Sequence, residues 1–554
     1  MAAKQEDALL ALGCAERMRS RALSDQLSWR KVDMAVRLPK KLQKQFDDLR
    51  EQRKQVYALL QQTTGLPTDT EEDQTRGAYI PIRGVYIPIR GPLDQAQKVT
   101  PEDEKRLKSL LQDLAKQEAA LESVVREAVP AYRMASQPQI PTETQLIQSA
   151  RLIRGCAVLE YTLTDEGVVG VAVAPGFHPF VKLLPVKREE LSDGIVRFRQ
   201  SLQERDAKIK ACTQSFYKFL VTPFEPVLGN TKQLLIVADG ALQLIPFAAL
   251  QNENGKYLAE RFSISYAPSL TLAVSQRGDR GTVKPVPTSA LIVAAPDTGA
   301  FDETPEPLTT QPPTTNTDRG IYIPIRGYYI PIRGEGGWSS QLDSMAMVAL
   351  PGAKTEGEAV AKQFTGSTLL TGKDATKDRL LTEGSKCDIL HIATHGYADP
   401  EVPEFSGLLL AGKEDLTQSR QGAKADGGTT ESAPTDLGMG YDVLTAEEVF
   451  LWNLNAKLVT LSACETGLGK DVEGEGVLGL TRAFLYAGAR EVLCSLWSVS
   501  DESTSTLMQT FYTQLQKGQS VDASLQFAQQ TLLKDRKTSH PFYWAAFVNV
   551  KGPR

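Results

Sequence analysis

The sequence predicts an α/β chain built on a mostly parallel sheet flanked by helices and preceded by an α-helical hairpin. Three observations predict it. After about residue 145, short apolar runs rich in β-branched residues alternate with amphipathic segments, the texture of strands buried between helices. Before residue 140, two long charged segments carry helical spacing. Polar stretches rich in Gly, Pro and Thr interrupt both regions and read as connections or surface insertions.

In chain order, residues 1–30 open with an amphipathic helix, in which Leu9, Leu10, Leu12, Met18 and Leu23 recur among Ala and charges. Residues 31–140 form the predicted antiparallel hairpin. Its arms are KLQKQFDDLREQRKQVYALLQQ, about 40–62, and PEDEKRLKSLLQDLAKQEAALESVVREA, about 101–128. The second arm has Pro101 near its start and an acidic first turn. From 145 to 551 the strand candidates are CAVLEYTL, GVVGVAVA, QLLIVA, ALIVAA, CDILHIATH, KLVTLSAC, REVLCSLW and AAFVNV. Two insertions, about 296–337 and 411–438, lack core-forming residues of their own.

A tandem heptapeptide occurs twice, as RGAYIPIRGVYIPIRG at 76–91 at the tip of the predicted hairpin, and as RGIYIPIRGYYIPIRG at 319–334 inside the first insertion. Its near-perfect repetition in two unrelated loops favours a passive in-frame insertion, which loops accommodate at small entropic cost. Two other readings stay open. YIPI units pair as association strands, although Pro at every seventh position opposes a continuous ladder. Alternatively, the Arg-Gly steps are cut.

Bulk properties exclude several classes. The 41% hydrophobic and 23% charged composition is that of a folded chain, and a net charge of −5 lacks the basic excess of a nucleic-acid binder. Six cysteines without a CxxC pair fit a reducing compartment, so a cytoplasmic location is expected. No apolar run approaches the roughly 18 residues a membrane helix needs, so no membrane association is expected. The start has the wrong charge and too short an apolar stretch for a signal peptide.

The chemistry concentrates in two strand ends. Only four histidines exist, and two lie in CDILHIATHGYAD, where a buried strand ends in His395-Gly396. KLVTLSACETG ends the next one in Cys464. Ligands of open parallel sheets sit beyond the carboxyl ends of strands, so an imidazole and a thiol are expected at one rim. A thiol of pKa ~8.5 needs a base at neutral pH, and an imidazole near ~6.5 supplies one. Small neighbouring residues let the backbone N–H groups of Gly396 and Cys464 approach an oxyanion. His391, four residues before His395, reads as a support deeper in the sheet. His178 and His540 read as loop or packing residues. His391, His395 and Cys464 alone fall short of a zinc ligand set, so no metal is expected.

DILHIATHG, LVTLSACETGLG…GEGVLGLTRAFLYAGAREVLCSLWSVSD, LLIVADGALQLIPFAALQNENGKYLAERFSISYAPSL and SHPFYWAAFVNV together resemble the CHAT family, caspase-like cysteine peptidases related to separase, over about residues 145–551. The resemblance implies a caspase-like sheet and a His–Cys dyad that cleaves peptide bonds without metal or organic cofactor, with His395 as general acid/base and Cys464 as nucleophile. It also implies a preference for Arg or Lys before the scissile bond. LWSVSDES matches the stretch that lines that pocket in separase and makes Asp501 the pocket carboxylate, with Asp471 and Glu475 as weaker competitors. The alternative for Asp501 is a cap of the helix that follows. ALLALGCAERMRSRALSDQLS resembles the last helix of a tetratricopeptide array, although the 34-residue repeat itself is absent.

The expected function is therefore cleavage of a specific protein substrate, regulated by processing or by an activating protein partner. Arg83, Arg90, Arg326 and Arg333 are the processing candidates. The alternative is a non-catalytic caspase-like scaffold.

Overall fold

The computed structural model describes residues 155–270, 273, 289–298, 350–397, 406–412, 441–450, 452–462, 475–497 and 501–552, four repeat strands, and helical positions within 10–14, 44–52 and 113–121. The chain divides into two compact units, Ser20–Gln139 and the remainder. In the first, positions 44–52 and 113–121 are helical where described, with Leu49 and Leu114 buried.

The strands of that unit are β1 (Ala78–Ile82) and β2 (Val85–Ile89). The larger unit holds β3 (Cys156–Thr164), β4 (Gly167–Val173), β5 (Phe180–Pro185), α1 (Arg188–Gln203), α2 (Ile209–Phe216), β6 (Gln233–Val237), β7 (Ser263–Tyr266) and β8 (Ser289–Pro296). Next come β9 (Ile321–Ile325), β10 (Tyr328–Ile332), α3 (Pro351–Ala361), β11 (Gly366–Gly372), α4 (Lys377–Gly384), β12 (Ile389–Ala393) and β13 (Gly396–Tyr397). The remainder are β14 (Gly407–Ala411), β15 (Tyr441–Thr445), α5 (Ala446–Phe450), β16 (Leu458–Leu461), α6 (Glu475–Ala487), β17 (Glu491–Ser495), α7 (Asp501–Gln516), α8 (Val521–Lys534) and β18 (Phe547–Lys551).

Eleven strands form one mixed sheet in the order β11-β8-β12-β16-β17-β18-β7-β6-β3-β4-β5. Its class is the expected one: a mostly parallel α/β sheet flanked by helices. The departure lies in the middle. The five strands from β11 to β17 run parallel, and β18 then pairs with β17 antiparallel. Strands β18, β7, β6 and β3 are again parallel to one another, so they run against the first five. The run from β3 to β5 is a meander, joined at β3–β4 by a two-residue turn and not by a helix.

Alternation along the strands divides the burial. On β3, Ala157, Leu159 and Tyr161 join the main core, while Cys156 and Val158 join a smaller cluster with Val171, Leu235 and Leu270. On β8, the α3 glycine Gly357 sits against Ile292 and Ala294, and the α4 glycine Gly384 sits against Leu291. Helices α3 and α7 thus lie on one face of that half and α4 and α6 on the other, while α8 packs on α7 and against β18 and β7. The helices bury one stripe each, as in α8, where Val521, Leu525, Ala528 and Leu532 face inward and Ser520 caps the Ala523 N–H.

Both heptapeptide arrays form two-stranded antiparallel hairpins, β1–β2 and β9–β10, each pairing with itself in the same register. Closure across two residues makes Ile82↔Val85 and Ile325↔Tyr328 hydrogen-bonded pairs. Every Pro then falls opposite a Tyr at the alternate positions, Pro81↔Tyr86, Tyr79↔Pro88, Pro324↔Tyr329 and Pro331↔Tyr322. No cross-strand N–H is needed there, so the prolines do not oppose this ladder as the bare sequence implied. The 411–438 insertion joins two paired strands, β14 and β15.

Candidate active site

His395 sits where the chain leaves the large sheet. Strand β12 ends at Ala393, and the Thr394 hydroxyl donates to the Leu409 carbonyl at 2.6 Å. The Leu409 N–H then donates to the His395 carbonyl at 3.0 Å. His395 is 1% exposed, and its main chain is held against β14 by that bond. Sheet β13-β14-β15 is anchored in turn by Lys377 of α4, whose ammonium reaches Asp442 at 2.9 Å and Glu448 at 3.0 Å. Gly396 pairs with Leu408. Because His395 and Leu409 form the hydrogen-bonded pair, Gly396↔Leu408 is the alternate pair, and the Gly396 N–H points away from β14.

On the neighbouring strand, β16 pairs with β12 in constant register from Ile389↔Leu458 to Ile392↔Leu461, and the Ser462 N–H continues it by donating to the Ile392 carbonyl at 2.8 Å. Ser462 is buried. Cys464 lies two residues further on, outside the described residues.

Below this rim is a buried polar joint. His391 of β12 and Thr460 of β16 are register partners, and the Tyr512 hydroxyl of α7 meets both, at 3.1 Å from His391 Nδ1 and 2.7 Å from Thr460 Oγ1. The Glu356 carboxylate of α3 lies 3.2 Å from His391 Nε2. That approach is off the N–H axis and is not a directional hydrogen bond. All four side chains are at most 1% exposed. Burial pushes the Tyr512 hydroxyl well above the usual phenol range. The Thr460 hydrogen bond opposes that rise and the Glu356 charge adds to it. His391 is thus deeper in the sheet than His395, as expected, but the bend at Thr394 removes His395 from the strand and with it the simple common-face argument.

The CHAT-domain family model matches residues 210–551. The chain belongs to the CHAT family. The resemblance to that family read from DILHIATHG and LVTLSACETGLG is borne out. The chain is similar to tetratricopeptide repeat protein 28 of Homo sapiens, at 28% identity over 376 residues, and to that of Mus musculus, at 26% over 372. Each alignment covers 63% of this chain, which spans only about 13% of the length of either relative. Among solved structures it is similar to the Saccharomyces cerevisiae separase–securin complex, with TM-score 0.40, 10% identity, and coverage of 76% of this chain and 31% of that one. It is also similar to the Arg-specific cysteine proteinase gingipain R, with TM-score 0.30, 9% identity, and coverage of 66% and 74%.

Asp501 is the first residue of α7 in the CHAT domain. The segment leading to it is fixed at its start. The Arg199 guanidinium donates to the Leu496 carbonyl at 2.7 Å, and the buried Trp497 indole donates to the Phe542 carbonyl at 3.1 Å. Glu475 opens α6, and Asp471 lies outside the described residues. His178 is exposed, and His540 caps a short turn by accepting the Phe542 N–H, which agrees with their bland readings. Arg83, Arg90, Arg326 and Arg333 lie outside the described residues. Arg83 and Arg326 fall in the two-residue connections of the hairpins, and Arg90 and Arg333 follow the second strands.

Sequence reasoning missed Glu356, Tyr512, Thr460 and Arg199. One signal was available. Glu356 falls on the stripe of α3 that carries Ala353 and Val360, and a carboxylate on a core stripe asks for a buried partner. Among the described residues no helix is long and apolar enough to cross a membrane.

Proposed function

We propose that the chain is a cysteine endopeptidase acting on a protein substrate, with Cys464 as nucleophile and His395 as general acid/base. One observation carries this reading. Residues Ile389–Ile392 of β12 pair with the residues 69 positions later on β16, and the Ser462 N–H donates to the Ile392 carbonyl in keeping with that register. The two parallel strands therefore end at one rim of the sheet, and His395 and Cys464 follow those ends in the sequence by two and three residues.

In that arrangement His395 takes the Sγ proton, and the thiolate attacks the substrate carbonyl. The backbone N–H groups of Gly396 and Cys464 stabilise the tetrahedral oxyanion, and the outward direction of the Gly396 N–H supports its part. The imidazolium returns its proton to the leaving amine. Water, deprotonated by the same imidazole, then releases the acyl group from sulfur. The Asp501 carboxylate at the head of α7 selects Arg or Lys by a charge-assisted pair.

The test is cleavage of a panel of fluorogenic Arg, Lys and Asp peptides by wild type, Cys464→Ala and His395→Ala. Thiol-dependent cleavage after Arg or Lys, abolished in both variants, is the expected result. A wild type as inert as Cys464→Ala, with no partner restoring activity, would leave the scaffold reading in place.

A further inference from the structure

Two residues four positions behind the proposed dyad are tied together by one atom. His391 precedes His395 by four residues, Thr460 precedes Cys464 by four, and the two are opposite one another in the β12–β16 ladder. The Tyr512 hydroxyl lies between them, contributed by a third element, α7, which begins at Asp501. The carriers of all three proposed functional side chains therefore meet at one buried oxygen.

The hydrogen bonds can be directed without conflict. Thr460 donates to Tyr512, Tyr512 donates to His391 Nδ1, and Nε2–H faces Glu356. The apolar setting makes the joint exacting. The Tyr512 ring packs edge-on against Phe364 at 5.5 Å and Phe511 at 4.9 Å, and neither can accept a hydrogen bond in place of the lost partner. A shift of β12 against β16 by even one residue would break at least one of the hydroxyl's two contacts.

We infer that Tyr512, held between His391 and Thr460, is a positioning residue that sets the height of His395 against Cys464. The inference rests on the dyad reading. It assigns the tyrosine no contact with substrate.

The test reads the thiol directly and needs no substrate. Full-length protein is alkylated with iodoacetamide at neutral pH, and modification of the Cys464 peptide is timed by mass spectrometry. Wild type, His395→Ala, Tyr512→Phe, Thr460→Val and Thr460→Ser are compared, with circular dichroism confirming the fold of each. Tyr512→Phe removes one oxygen and keeps the ring contacts. Tyr512→Phe and Thr460→Val are each expected to slow alkylation roughly tenfold. Their combination should be no slower than either alone, because both break the same joint, and Thr460→Ser should restore the wild-type rate. A folded Tyr512→Phe that is alkylated at the wild-type rate, or a Thr460→Ser as slow as Thr460→Val, overturns the inference alone. If His395→Ala leaves alkylation unchanged, the dyad reading falls and the positioning role falls with it.

Discussion

Two glycines at helix ends separate backbone strain from steric overlap. Gly488 follows α6 with φ +119°, and an added Cβ would stand 2.1 Å from the Leu454 carbonyl oxygen. That oxygen belongs to backbone held in place, since the Leu454 N–H donates to the Ala487 carbonyl at 2.7 Å. Gly518 follows α7 with φ +82°, and nothing lies within 4 Å of its Cβ position. Gly518→Ala is expected to cost about 1 kcal/mol, the penalty for a left-handed L-residue. Gly488→Ala carries a similar or larger strain plus an overlap that only main-chain movement can relieve, about 3–5 kcal/mol together. Guanidinium unfolding followed by tryptophan fluorescence reads both, with the m value as a check on comparability. Equal midpoint shifts for the two variants, or a Gly488→Ala midpoint within error of wild type, would refute the steric reasoning.

Three further outcomes are expected. Burial lifts the Cys387 thiol from about 9 to about 11, and burial likewise lifts Tyr161, Tyr217, Tyr266 and Tyr512. Folded pKa values above the unfolded ones mean stability is intact below pH 9 and lost as pH rises, Cys387 giving up about 2–3 kcal/mol between 9 and 11. Melting temperature should hold from pH 7 to 9 and fall above it, and Cys387→Ala should delay the onset; a flat profile to pH 11 contradicts this. In brief trypsin digestion, Arg90 and Arg333, flanked by paired strand on one side, should be cut before Arg83 and Arg326, flanked on both. Early cuts at Arg83 or Arg326 would argue against the hairpins. Asp501→Asn should lower kcat/KM for Arg peptides about tenfold to a hundredfold while leaving Cys464 alkylation unchanged; an equal loss for every peptide removes the specificity role.

The central strands were legible because a strand buried on both faces must be a continuous apolar run, as in LLIV of β6 and ALIVAA of β8. Two strands at the sheet's edges that escaped detection lack such a run. Strand β5, FVKLLP, forms the edge of the sheet and exposes Phe180 and Leu183. Strand β11, GSTLLTG, mixes small polar residues with two leucines at the opposite edge. Strand direction was not legible either, because apolar texture is the same in either sense and β18 betrays its reversal only by its neighbours. At the site, His395 showed itself as a scarce residue at a strand end. Tyr512 gave no sign, since its partners lie 121 and 52 residues away and a tyrosine on an apolar helical stripe looks like any other core residue.

Strand β18 also dictates an order of assembly. The strands on one side of it come from residues 156–266 and those on the other from 289–495, yet the piece between them is 547–551. During synthesis both half-sheets are complete before their common seam exists, leaving the outer edges of β7 and β17 unpaired at once. Open edges of this kind recruit strands from other chains. The strand of this sheet made last is the keystone, and a nascent chain halted before residue 547 carries two adhesive edges that the complete sheet hides.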